Sequence, residues 1–487
     1  MSTEKEKELF EDRKKKLLEI RKLGVDTYPA DSKKTHSLAS VSQAFESLEK
    51  SKKSVIVAGR IRALRGHGGL SFGNLEDETG VLQFVVKKDQ VAKVQFEIFS
   101  KLDIGDFAEV LGTAFTTKRG EKTILVEKFS LLAKSLRALP EKFHGLKETE
   151  TRLRKRYLDM IANPEVREIF RKKSIFWNTI REFMTEQGFL EVQTPVLEEI
   201  AGGADATPFI THHDALDRDF FLRISLELPL KKLLVAGFEK VFEIGRLFRN
   251  EGISREHLQE YDDMEFYMAY ADYKKGMKLV EELFKETVKK VAGGLKTQYE
   301  NHTLDWGGDW PKIDYFESFK KETGLDLNSV TLVDLRKKAD TLKIKYEKSY
   351  GVGRMIDVIY KKTVRPKIIQ PSFLVGHPTA LSPLAKKDTE NEKKVQRFQV
   401  LAAGTELGNA YSELNDPIDQ RKRFEEQMKL RIEGDKEAQM MDEDFVEALE
   451  YGMPPAVGFG VSERFFAVLM DKSIRETVIF PLMREDK

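Results

Sequence analysis

Two hydrophobic patterns follow one another along the chain, and the change between them near residue 138 constrains the fold more than any other feature. Between Ser54 and Leu132, five short apolar segments are separated by glycine-containing turns such as HGG, DETG and KRGE. Beyond residue 150, helical and strand patterns mix without a regular alternation of strand and helix. We therefore expect an α+β protein, with a small five-stranded barrel followed by a larger domain that has a mainly antiparallel sheet.

The boundaries of these regions follow from the same patterns. Near the N-terminus, Phe10, Leu17, Ile20 and Leu23 recur at about helical spacing, and Gly24 then supplies a stop. We divide the chain into a helical extension (residues 1–53), the barrel (54–137), a linker (138–150) and the larger domain (151–487).

The composition excludes several classes of protein. The 82 basic and 81 acidic side chains leave a net charge of only +1, so any contact with nucleic acid must use local basic patches. The absence of cysteine excludes disulfides, thiolate zinc sites and cysteine nucleophiles. We find neither an apolar run of about 20 residues nor a hydrophobic signal core at the start, which predicts a cytoplasmic protein without a membrane span.

Two stretches of the larger domain have the periodicity of long amphipathic helices, and each ends at a glycine. The first ends at Gly188, and its apolar residues are Ile169, Phe176, Ile180, Phe183 and Met184. The second ends at Gly293, and its apolar residues are Met277, Val280, Phe284, Val288 and Val291. The string FLEVQTPVL after the first helix predicts a strand that is interrupted by Pro195.

Polar residues alternate with apolar ones in the segment VFEIGRLFRNEGISREHLQEYDDMEFYMAY, which predicts two strands joined by a polar loop. Alternation places Arg249 and Glu251 on one face, and it places Glu265 and Tyr267 opposite Met264 and its apolar neighbours. This pattern indicates the lining of a pocket. The alternative is an ordinary solvated face of a sheet.

A second segment, GTELGNAYSELND, places Asn409, Tyr411 and Glu413 on one face of a strand. Glu406 is out of phase with them, so it shares their pocket only if the strand contains a bulge or a twist, for which Gly408 is suited. A third segment, GFGVSERFFAVL, places Glu463 and Arg464 at a junction between a strand and a helix.

Together these segments resemble the three signature motifs of the class II aminoacyl-tRNA synthetases. FMTEQGFLEVQTPVL is similar to motif 1, FRNE with the following strand to motif 2, and GFGVSER to motif 3. The strings GGADATPFITHHDAL, LRISLELPLKKLLVAGFEKVFEIGRLFRNEGIS, ALSPLAK and ELGNAYSELNDPIDQRKRFEEQ resemble the lysyl-tRNA synthetases in particular.

The resemblance implies a fold and a reaction. The fold is an N-terminal OB-fold barrel that reads the anticodon, then a catalytic antiparallel sheet flanked by helices, with a variable region (274–395) between motifs 2 and 3. The reaction activates lysine with ATP and transfers it to the 3′-terminal adenosine of tRNA(Lys). The family also implies a homodimer built partly through motif 1, and Mg²⁺ as the cofactor.

The resemblance further implies roles for individual residues. For ATP, Arg249 would bridge the α-phosphate and the substrate carboxylate, and Arg464 would hold the γ-phosphate; both are the expected catalytic residues. The other expected ATP-binding residues are Glu251 at the adenine amino group, His257 near the outer phosphates, Tyr261 in the adenine-stacking position and Glu406 as a magnesium ligand.

The residues that the resemblance implies for lysine surround its three polar groups and its stem. They are Gly203, Glu227 and Glu265 at the α-amino group, Asn409 at the carboxylate, Tyr267 and Glu413 at the ε-ammonium, and Tyr411 along the stem. In the barrel, Phe72 would stack an anticodon base, with Arg60 and Gln83 as polar readers. The alternative for Phe72 is a position in the core of the barrel.

The sequence departs from the family pattern at three places. The usual His-Asn-Pro-Glu-Phe is His257 to Tyr261 here, and Asp262 and Asp263 replace Thr and Met. Motif 3 is shorter, with Ser462 near an expected glycine, and Gln399 replaces a second acidic metal ligand. Two alternatives stay open, a tRNA-binding protein that has lost catalysis and a related enzyme that lysylates proteins.

Overall fold

The computed structural model describes residues 4–67, 69–140, 148–252, 257–435 and 437–484. These residues form two compact units, and the boundary between them along the chain lies between Glu148 and Thr149. Most of the linker predicted for 138–150 lies at residues 141–147, outside the described residues.

The first unit is built on a closed barrel of five strands in the order β1-β2-β3-β5-β4. The strands are β1 (Ser54–His67), β2 (Leu70–Asp77), β3 (Gly80–Lys87), β4 (Phe107–Thr116) and β5 (Lys122–Ala133). The helices are α1 (Glu4–Lys22), α2 (Leu38–Gln43), α3 (Phe45–Ser51) and α4 (Lys93–Ser100). The pairing is antiparallel except between β3 and β5, and the predicted five-stranded barrel is confirmed.

Helices α1 to α3 share one hydrophobic core with the barrel. Ile20 of α1, Leu38 of α2 and Phe45 of α3 are buried in the same cluster as Val57 and Phe84 of the strands. Helix α1 ends as predicted before Gly24, whose φ of +75° is readily adopted by glycine. The N-terminal helices and the barrel therefore bury their apolar surfaces together.

The second unit is built on an eight-stranded sheet flanked by helices, with strand order β14-β15-β16-β17-β18-β11-β10-β6, and it also contains two smaller sheets, β12-β13 and β7-β9-β8. Its strands are β6 (Leu190–Glu191), β7 (Leu197–Glu198), β8 (Ile210–His213), β9 (Arg218–Leu222), β10 (Lys240–Phe248), β11 (Glu260–Ala269), β12 (Lys296–Tyr299), β13 (His302–Asp305), β14 (Lys312–Asp314), β15 (Ser372–Val375), β16 (Arg397–Ala402), β17 (Thr405–Ser412) and β18 (Ala456–Ser462). Its helices are α5 (Thr149–Arg154), α6 (Arg156–Ala162), α7 (Pro164–Glu186), α8 (Glu227–Val235), α9 (Tyr273–Ala292), α10 (Tyr315–Thr323), α11 (Leu332–Thr341), α12 (Val352–Thr363), α13 (Pro417–Ile432), α14 (Glu443–Glu450) and α15 (Glu463–Leu469).

The eight-stranded sheet is mainly antiparallel, as the sequence predicts. Parallel pairing occurs only between β6 and β10 and between β14 and β15 among the described strands of this sheet. The two long helices predicted from periodicity are α7 and α9, and Gly188 and Gly293 follow them in the left-handed conformation. The predicted strand FLEVQTPVL is instead divided into β6 and β7, which belong to different sheets. Between them the amide of Thr194 donates to Glu243 Oε2 at 2.9 Å, and the following Pro195 has no amide hydrogen to pair.

An aromatic cluster holds helix α15 against helices α7 and α9. The ring of Phe465 stacks on Phe284 of α9 with centroids 4.1 Å apart, and it lies 5.4 Å from the ring of Phe176 of α7. Such pairs each contribute about 0.5–1.5 kcal/mol beyond the burial of their area. Because Arg464 precedes Phe465, this packing positions the first turn of α15, which carries that guanidinium.

Candidate active site

Neighbouring strands of the large sheet align the predicted site residues in two rows. One row consists of Glu265 (β11), Gly460 (β18), Asn409 (β17) and Gln399 (β16). The next row consists of Tyr267, Gly458, Tyr411 and Arg397 on the same four strands. On the other face, Met264 and Phe266 are fully buried in the main hydrophobic core, as strand alternation predicts.

These rows form part of the lining of a cavity of about 990 Å³. The cavity brings together nearly all the residues predicted for lysine, ATP and metal, namely Gly203, Glu227, Arg249, Glu251, His257, Tyr261, Glu265, Tyr267, Gln399, Glu406, Asn409, Tyr411 and Arg464. Glu413 is the exception, since it lies behind the lining and is only 1% exposed. An ordinary solvated sheet face is therefore excluded for these strands.

Glu406 lines the same cavity because strand β17 contains a bulge, which changes the face on which Glu406 lies. Gly408 pairs with Val400, but Glu406 pairs with Leu401, so Leu407 is an extra residue in β17. The bulge shifts the alternation by one residue, which brings Glu406 to the face that carries Asn409. Of the two alternatives, a bulge or a twist, the structure has the bulge, one residue before Gly408.

Two glycines allow the close approaches that shape the cavity. A Cβ on Gly458 would lie 2.3 Å both from Oε1 of Glu413 and from Cε1 of Tyr267. A Cβ on Gly203 would lie 2.9 Å from Cβ of Ser225, and the φ of Gly203 is +84°. Both positions thus exclude larger side chains.

Glu265 is held by three donors in the buried part of the cavity. Its Oε1 accepts from the hydroxyl of Ser225 and the amide of Leu226, both at 2.9 Å, and its Oε2 accepts from the hydroxyl of Tyr267 at 2.9 Å. Burial, and next the Glu227 carboxylate, raise the pKa of Glu265 above its ordinary value despite these donors. The carboxylate is therefore held in position, but its three donors do not fully offset the cost of burying its negative charge.

Sequence reasoning missed Lys231, whose buried ammonium forms ion pairs with Oε1 of Glu227 and Oε2 of Glu413. Oε2 of Glu227 also accepts from the hydroxyl of Tyr411. Burial raises the pKa of Glu413 well above its ordinary value even though the Lys231 ammonium lowers it. The spacing of Lys231 four residues after Glu227 on α8 was a signal for the first of these pairs.

Arg397 was also missed, and it orients a residue predicted to contact the substrate. Its Nε donates to Oδ1 of Asn409 at 2.8 Å, while its Nη1 donates to the carbonyl of Leu381 at 2.9 Å. Because Arg397 starts β16 and pairs with Tyr411, its guanidinium is held beside the row of site residues. The arginine fixes which way the Asn409 amide faces.

The arginines predicted to bind ATP lie at strand ends. Arg249 follows β10, and its guanidinium donates to the carbonyl of Ile224 at 3.2 Å and lies 5.5 Å from the centre of the Tyr261 ring. Arg464 lies in the first turn of α15, where Ser462 is the N-cap and its Oγ accepts from the Arg464 amide at 3.3 Å. Ser462, which stands near a position where the family pattern has glycine, thus caps the N-terminus of α15.

The two aspartates that replace Thr and Met do not interrupt strand β11. Asp262 pairs with Arg246 and Asp263 pairs with Gly245 in a continuous register. Burial, and next the Glu265 carboxylate, raise the pKa of Asp263 above its ordinary value. The preceding loop, residues 253–256, lies outside the described residues.

Gln399 lies on the cavity wall beside a neutral histidine. The ring of His377 is buried there, and burial lowers its pKa well below the ordinary value, with Arg397 as the next cause. In the described part of the chain, no group of three His, Asp or Glu side chains could by itself hold a metal ion.

In the first unit, the residues predicted to read an anticodon lie on the outer side of the barrel. In β2, Gly73 and Leu75 are buried while Phe72 is only partly buried, so Phe72 is not a core residue. Gln83 of β3 pairs with Asn74, and its amide donates to the Thr123 hydroxyl at 2.9 Å. Arg60 of β1 donates to the carbonyl of Gly105 at 3.0 Å and stacks 4.2 Å from the centre of the Phe107 ring.

Comparison with known proteins finds two family matches along the chain. A family described as tRNA synthetases class II (D, K and N) matches residues 148–484, and an OB-fold nucleic acid binding domain matches residues 55–132. Lysine–tRNA ligase from Moorella thermoacetica is 47% identical over 99% of both chains. The enzymes of the same name are 46% identical in Carboxydothermus hydrogenoformans, over 98% of both chains, and 43% in Bacillus subtilis, over 97% of this chain and 96% of that one. The chain therefore belongs to the class II tRNA synthetases of the D, K and N group.

Proposed function

We propose that the protein joins lysine to tRNA(Lys) in two steps, first forming lysyl-adenylate and pyrophosphate from lysine and ATP. The observation that carries this is the combination in one cavity of buried carboxylates, Glu227 and Glu265, with the guanidinium groups of Arg249 and Arg464. Carboxylates match the ammonium groups of lysine, and guanidinium groups match phosphates. The relatives that span nearly the whole chain carry the name lysine–tRNA ligase.

In the first step, the lysine carboxylate attacks the α-phosphorus of ATP and pyrophosphate leaves. No side-chain nucleophile is needed, so positioning and stabilisation of phosphate charge supply the catalysis. Arg249 bridges the α-phosphate and the carboxylate, and Arg464 holds the γ-phosphate. Both arginines are already anchored in place, through the carbonyls of Ile224 and Glu406 respectively.

The adenine and the outer phosphates use other residues of the same cavity. Tyr261 stacks on the base, Glu251 accepts from its amino group, and His257 lies near the phosphates. Support comes from their shared place in the lining and from the ring of Tyr261, which lies next to the Arg249 guanidinium.

For the amino acid, Gly203, Glu227 and Glu265 surround the α-amino group, and Asn409 meets the carboxylate. Tyr411 lies along the aliphatic stem, and Tyr267 and Glu413 meet the ε-ammonium. This assignment is supported by the burial of Glu413 and by the close approach of its carboxylate and of the Tyr267 ring to the same face of Gly458.

Magnesium would accompany ATP in this proposal; Glu406 would supply the main protein ligand, and Gln399 a weaker neutral one. The donor set fits Mg²⁺ because this ion binds carboxylate oxygen and keeps several ligands from phosphates and water. A complete cage of protein ligands is therefore not required. The ion would neutralise phosphate charge.

The barrel binds the anticodon of the tRNA, with Phe72 as the stacking platform and Arg60 and Gln83 as polar readers. Support comes from the partly exposed Phe72 on the outer face and from the match of residues 55–132 to a nucleic acid binding domain. In the second step, the terminal ribose 3′-hydroxyl of the tRNA attacks the carbonyl carbon of lysyl-adenylate, so that an ester to the tRNA forms, the acyl–phosphate bond breaks and AMP leaves.

We also propose that the protein is a homodimer through its motif 1 region. Apolar side chains of this segment and of the preceding part of α7 are exposed in the single chain, including Ile175, Leu190 and Leu197, each between 44% and 49% exposed. Burying them against a second copy would remove apolar area from water. Sedimentation of the protein and of a Leu197→Asp variant tests this, since the variant should shift toward the mass of one chain.

The described residues include no helix that is long and apolar enough to cross a membrane. Because the proposed reaction consumes ATP and tRNA, we assign it to the cytoplasm.

The test of the proposed function is ATP–pyrophosphate exchange with each of the twenty amino acids, followed by charging of tRNA(Lys). We expect lysine alone to support rapid exchange. Faster exchange with aspartate or asparagine would overturn the substrate assignment, and no exchange at all would favour a tRNA-binding protein that has lost catalysis. Transfer of lysine to a protein but not to tRNA would identify the protein-modifying alternative.

A further inference from the structure

Lys231 is a fully buried lysine at the closed side of the candidate amino-acid pocket. It lies on α8 one helical turn after Glu227, and its side chain has no exposed area. Its ammonium contacts the carboxylates of Glu227 and Glu413 and lies 5.4 Å from the centre of the Tyr411 ring. Three residues assigned to lysine recognition therefore share this one internal cation.

Stability alone does not account for a charge at this position. The other buried positions of α8 include Leu228, Leu230 and Leu234, so the helix packs against an apolar environment. A buried ion pair stabilises a fold little, because removing both charges from water costs about as much as their attraction returns. The buried charge of Lys231 is therefore better explained by the role of its partners, Glu227 and Glu413, in binding the substrate than by the packing of α8.

Glu413 has one oxygen left over for a ligand. Its Oε2 faces the Lys231 ammonium, whereas Oε1 has no hydrogen-bond partner within the described ranges of the chain. Oε1 lies against Gly458, which lines the cavity, and beside the ring of Tyr267. A buried carboxylate oxygen without a donor is costly, and a substrate ammonium would satisfy it.

The charges of the cluster also match the substrate. When ionised, the carboxylates of Glu227, Glu265 and Glu413 carry three negative charges, and the Lys231 ammonium cancels one, which leaves −2. Lysine brings two ammonium groups to this cluster, and its carboxylate pairs with Arg249. Without Lys231 the cluster would hold one negative charge more than the substrate can neutralise.

We propose that Lys231 is a positioning and specificity-determining residue, a built-in counter-ion that holds the Glu227 and Glu413 carboxylates in place and leaves Oε1 of Glu413 to the terminal ammonium of the substrate. This inference rests on the proposed function. Lys231 touches neither the reacting atoms nor the cavity, so it acts through the two glutamates.

The first test replaces Lys231 by methionine, which keeps the length of the side chain and removes its charge. In pyrophosphate exchange we expect KM for lysine to rise on the order of 10- to 100-fold, with KM for ATP nearly unchanged, because a charge-assisted contact to each glutamate is lost. Lys232→Met is the matched control, since Lys232 pairs with Asp444 on the surface and should leave both constants unchanged. An unchanged KM for lysine in Lys231→Met would overturn the proposal.

A double-mutant cycle separates positioning from a general effect on folding. If Lys231 acts through Glu413, the Lys231→Met change should raise KM for lysine much less in a Glu413→Gln background than in the parent. Fully additive effects would mean that Lys231 acts elsewhere.

Chemical rescue keeps the test informative if the methionine variant folds poorly. Lys231→Ala leaves a space that propylammonium fills with both length and charge, and it should regain lysine-dependent exchange with that ion. Equal rescue by 1-propanol, or none by either, would overturn the charge role. Exchange by the parent is measured first: if it activates another amino acid, the proposed function fails, whereas a parent specific for lysine with an unaffected Lys231→Met variant rejects this inference alone.

Discussion

The ammonium of Lys173 lies 2.8 Å from Oε2 of Glu463, and the other carboxylate oxygen of Glu463 accepts from the amide of Asp262 at 3.0 Å. Lys173 is on α7, Asp262 on β11 and Glu463 at the start of α15. The pair is nearly buried, with side chains 17% and 2% exposed. One ion pair and one hydrogen bond thus connect helix α7, which leads into the segment that resembles motif 1, to the segments that resemble motifs 2 and 3, and they fix the turn that carries Arg464.

The first prediction follows from this connection. Lys173→Met should lower the free energy of unfolding by roughly 3–5 kcal/mol, because it leaves a buried carboxylate without its counter-ion. The double variant Lys173→Met/Glu463→Leu should recover part of that loss, since an apolar pair avoids the unpaired charge. Urea denaturation followed by circular dichroism measures both, and equal stability of the parent and Lys173→Met would contradict the role of the pair.

The second prediction concerns the pH dependence of lysine binding. Burial raises the pKa of Glu265 and of Glu413 above the ordinary value, so these carboxyls retain protons at higher pH in the ligand-free protein. The groups that face them are Glu227, Lys231 and the hydroxyls of Tyr267 and Ser225.

Because a substrate ammonium favours the ionised carboxylates, lysine binding should release protons. Affinity should therefore rise as the pH passes through the raised range in which these carboxyls lose their protons, and it should fall again once the amino groups of lysine begin to lose theirs. Isothermal titration calorimetry in buffers of different ionisation enthalpy counts the protons released. Glu413→Gln should release fewer, and a binding constant that does not change with pH would contradict this linkage.

The third prediction uses two glycines of the same strand as a matched pair. In Gly458→Ala the new methyl group would meet Oε1 of Glu413 and the ring of Tyr267, each at 2.3 Å, so both side chains must move. In Gly460→Ala the nearest atom, Cγ of Glu265, would lie at 3.4 Å, an ordinary contact. Overpacking of this kind costs typically about 1–3 kcal/mol.

We therefore expect Gly458→Ala to raise KM for lysine strongly and Gly460→Ala to change it less. Lysine-dependent pyrophosphate exchange measures both variants under the same conditions. The opposite order would mean that Glu413 and Tyr267 do not determine lysine recognition.

The fourth prediction separates the two units of the chain. Phe72→Ala should impair charging of tRNA(Lys) while leaving pyrophosphate exchange nearly intact, because the loss of one stacking platform costs about 1–3 kcal/mol of RNA binding. Tyr28→Ala, which removes another exposed aromatic ring of the first unit, should leave charging unchanged. Equal damage to charging and exchange in Phe72→Ala would argue against an anticodon role.

Local patterns predicted the parts of the fold that local physics determines. The long helices α7 and α9 were predictable because apolar residues repeat at helical spacing over several turns and glycine ends each helix. An irregularity in β17 was predictable because Glu406 is out of phase with Asn409, but the sequence did not decide between a bulge and a twist. Motif resemblance then brought residues from distant segments together in one expected site.

Contacts that depend on distant segments were not predictable in the same way. Lys231 and Lys232 are adjacent lysines on one helix, yet Lys231 is buried against Glu413 of a distant segment and Lys232 pairs with Asp444 on the surface. The division of FLEVQTPVL between two sheets was also missed, because periodicity does not show where Thr194 and Pro195 leave the strand. In both cases tertiary packing decides between local patterns that look alike.

The last prediction concerns Gln399, the departure with the most direct chemical consequence. Gln399 is 8% exposed, lines the cavity in the row of Asn409, and lies beside the neutral ring of His377. If its side-chain oxygen and Glu406 jointly bind magnesium, the amide supplies one negative charge less than the carboxylate of the family. Affinity for the ion should then be lower, since hard divalent cations bind carboxylate more tightly than amide oxygen.

We therefore expect the free magnesium needed for half-maximal pyrophosphate exchange to be lowest in Gln399→Glu, intermediate in the parent and highest in Gln399→Leu, which has no oxygen to offer. Glu406→Gln should be nearly inactive, because it removes the main carboxylate ligand. The alternative is that Gln399 only packs against His377 and never touches the metal. In that case the magnesium titrations of Gln399→Glu and the parent should superimpose, and Gln399→Leu should differ from them in stability alone.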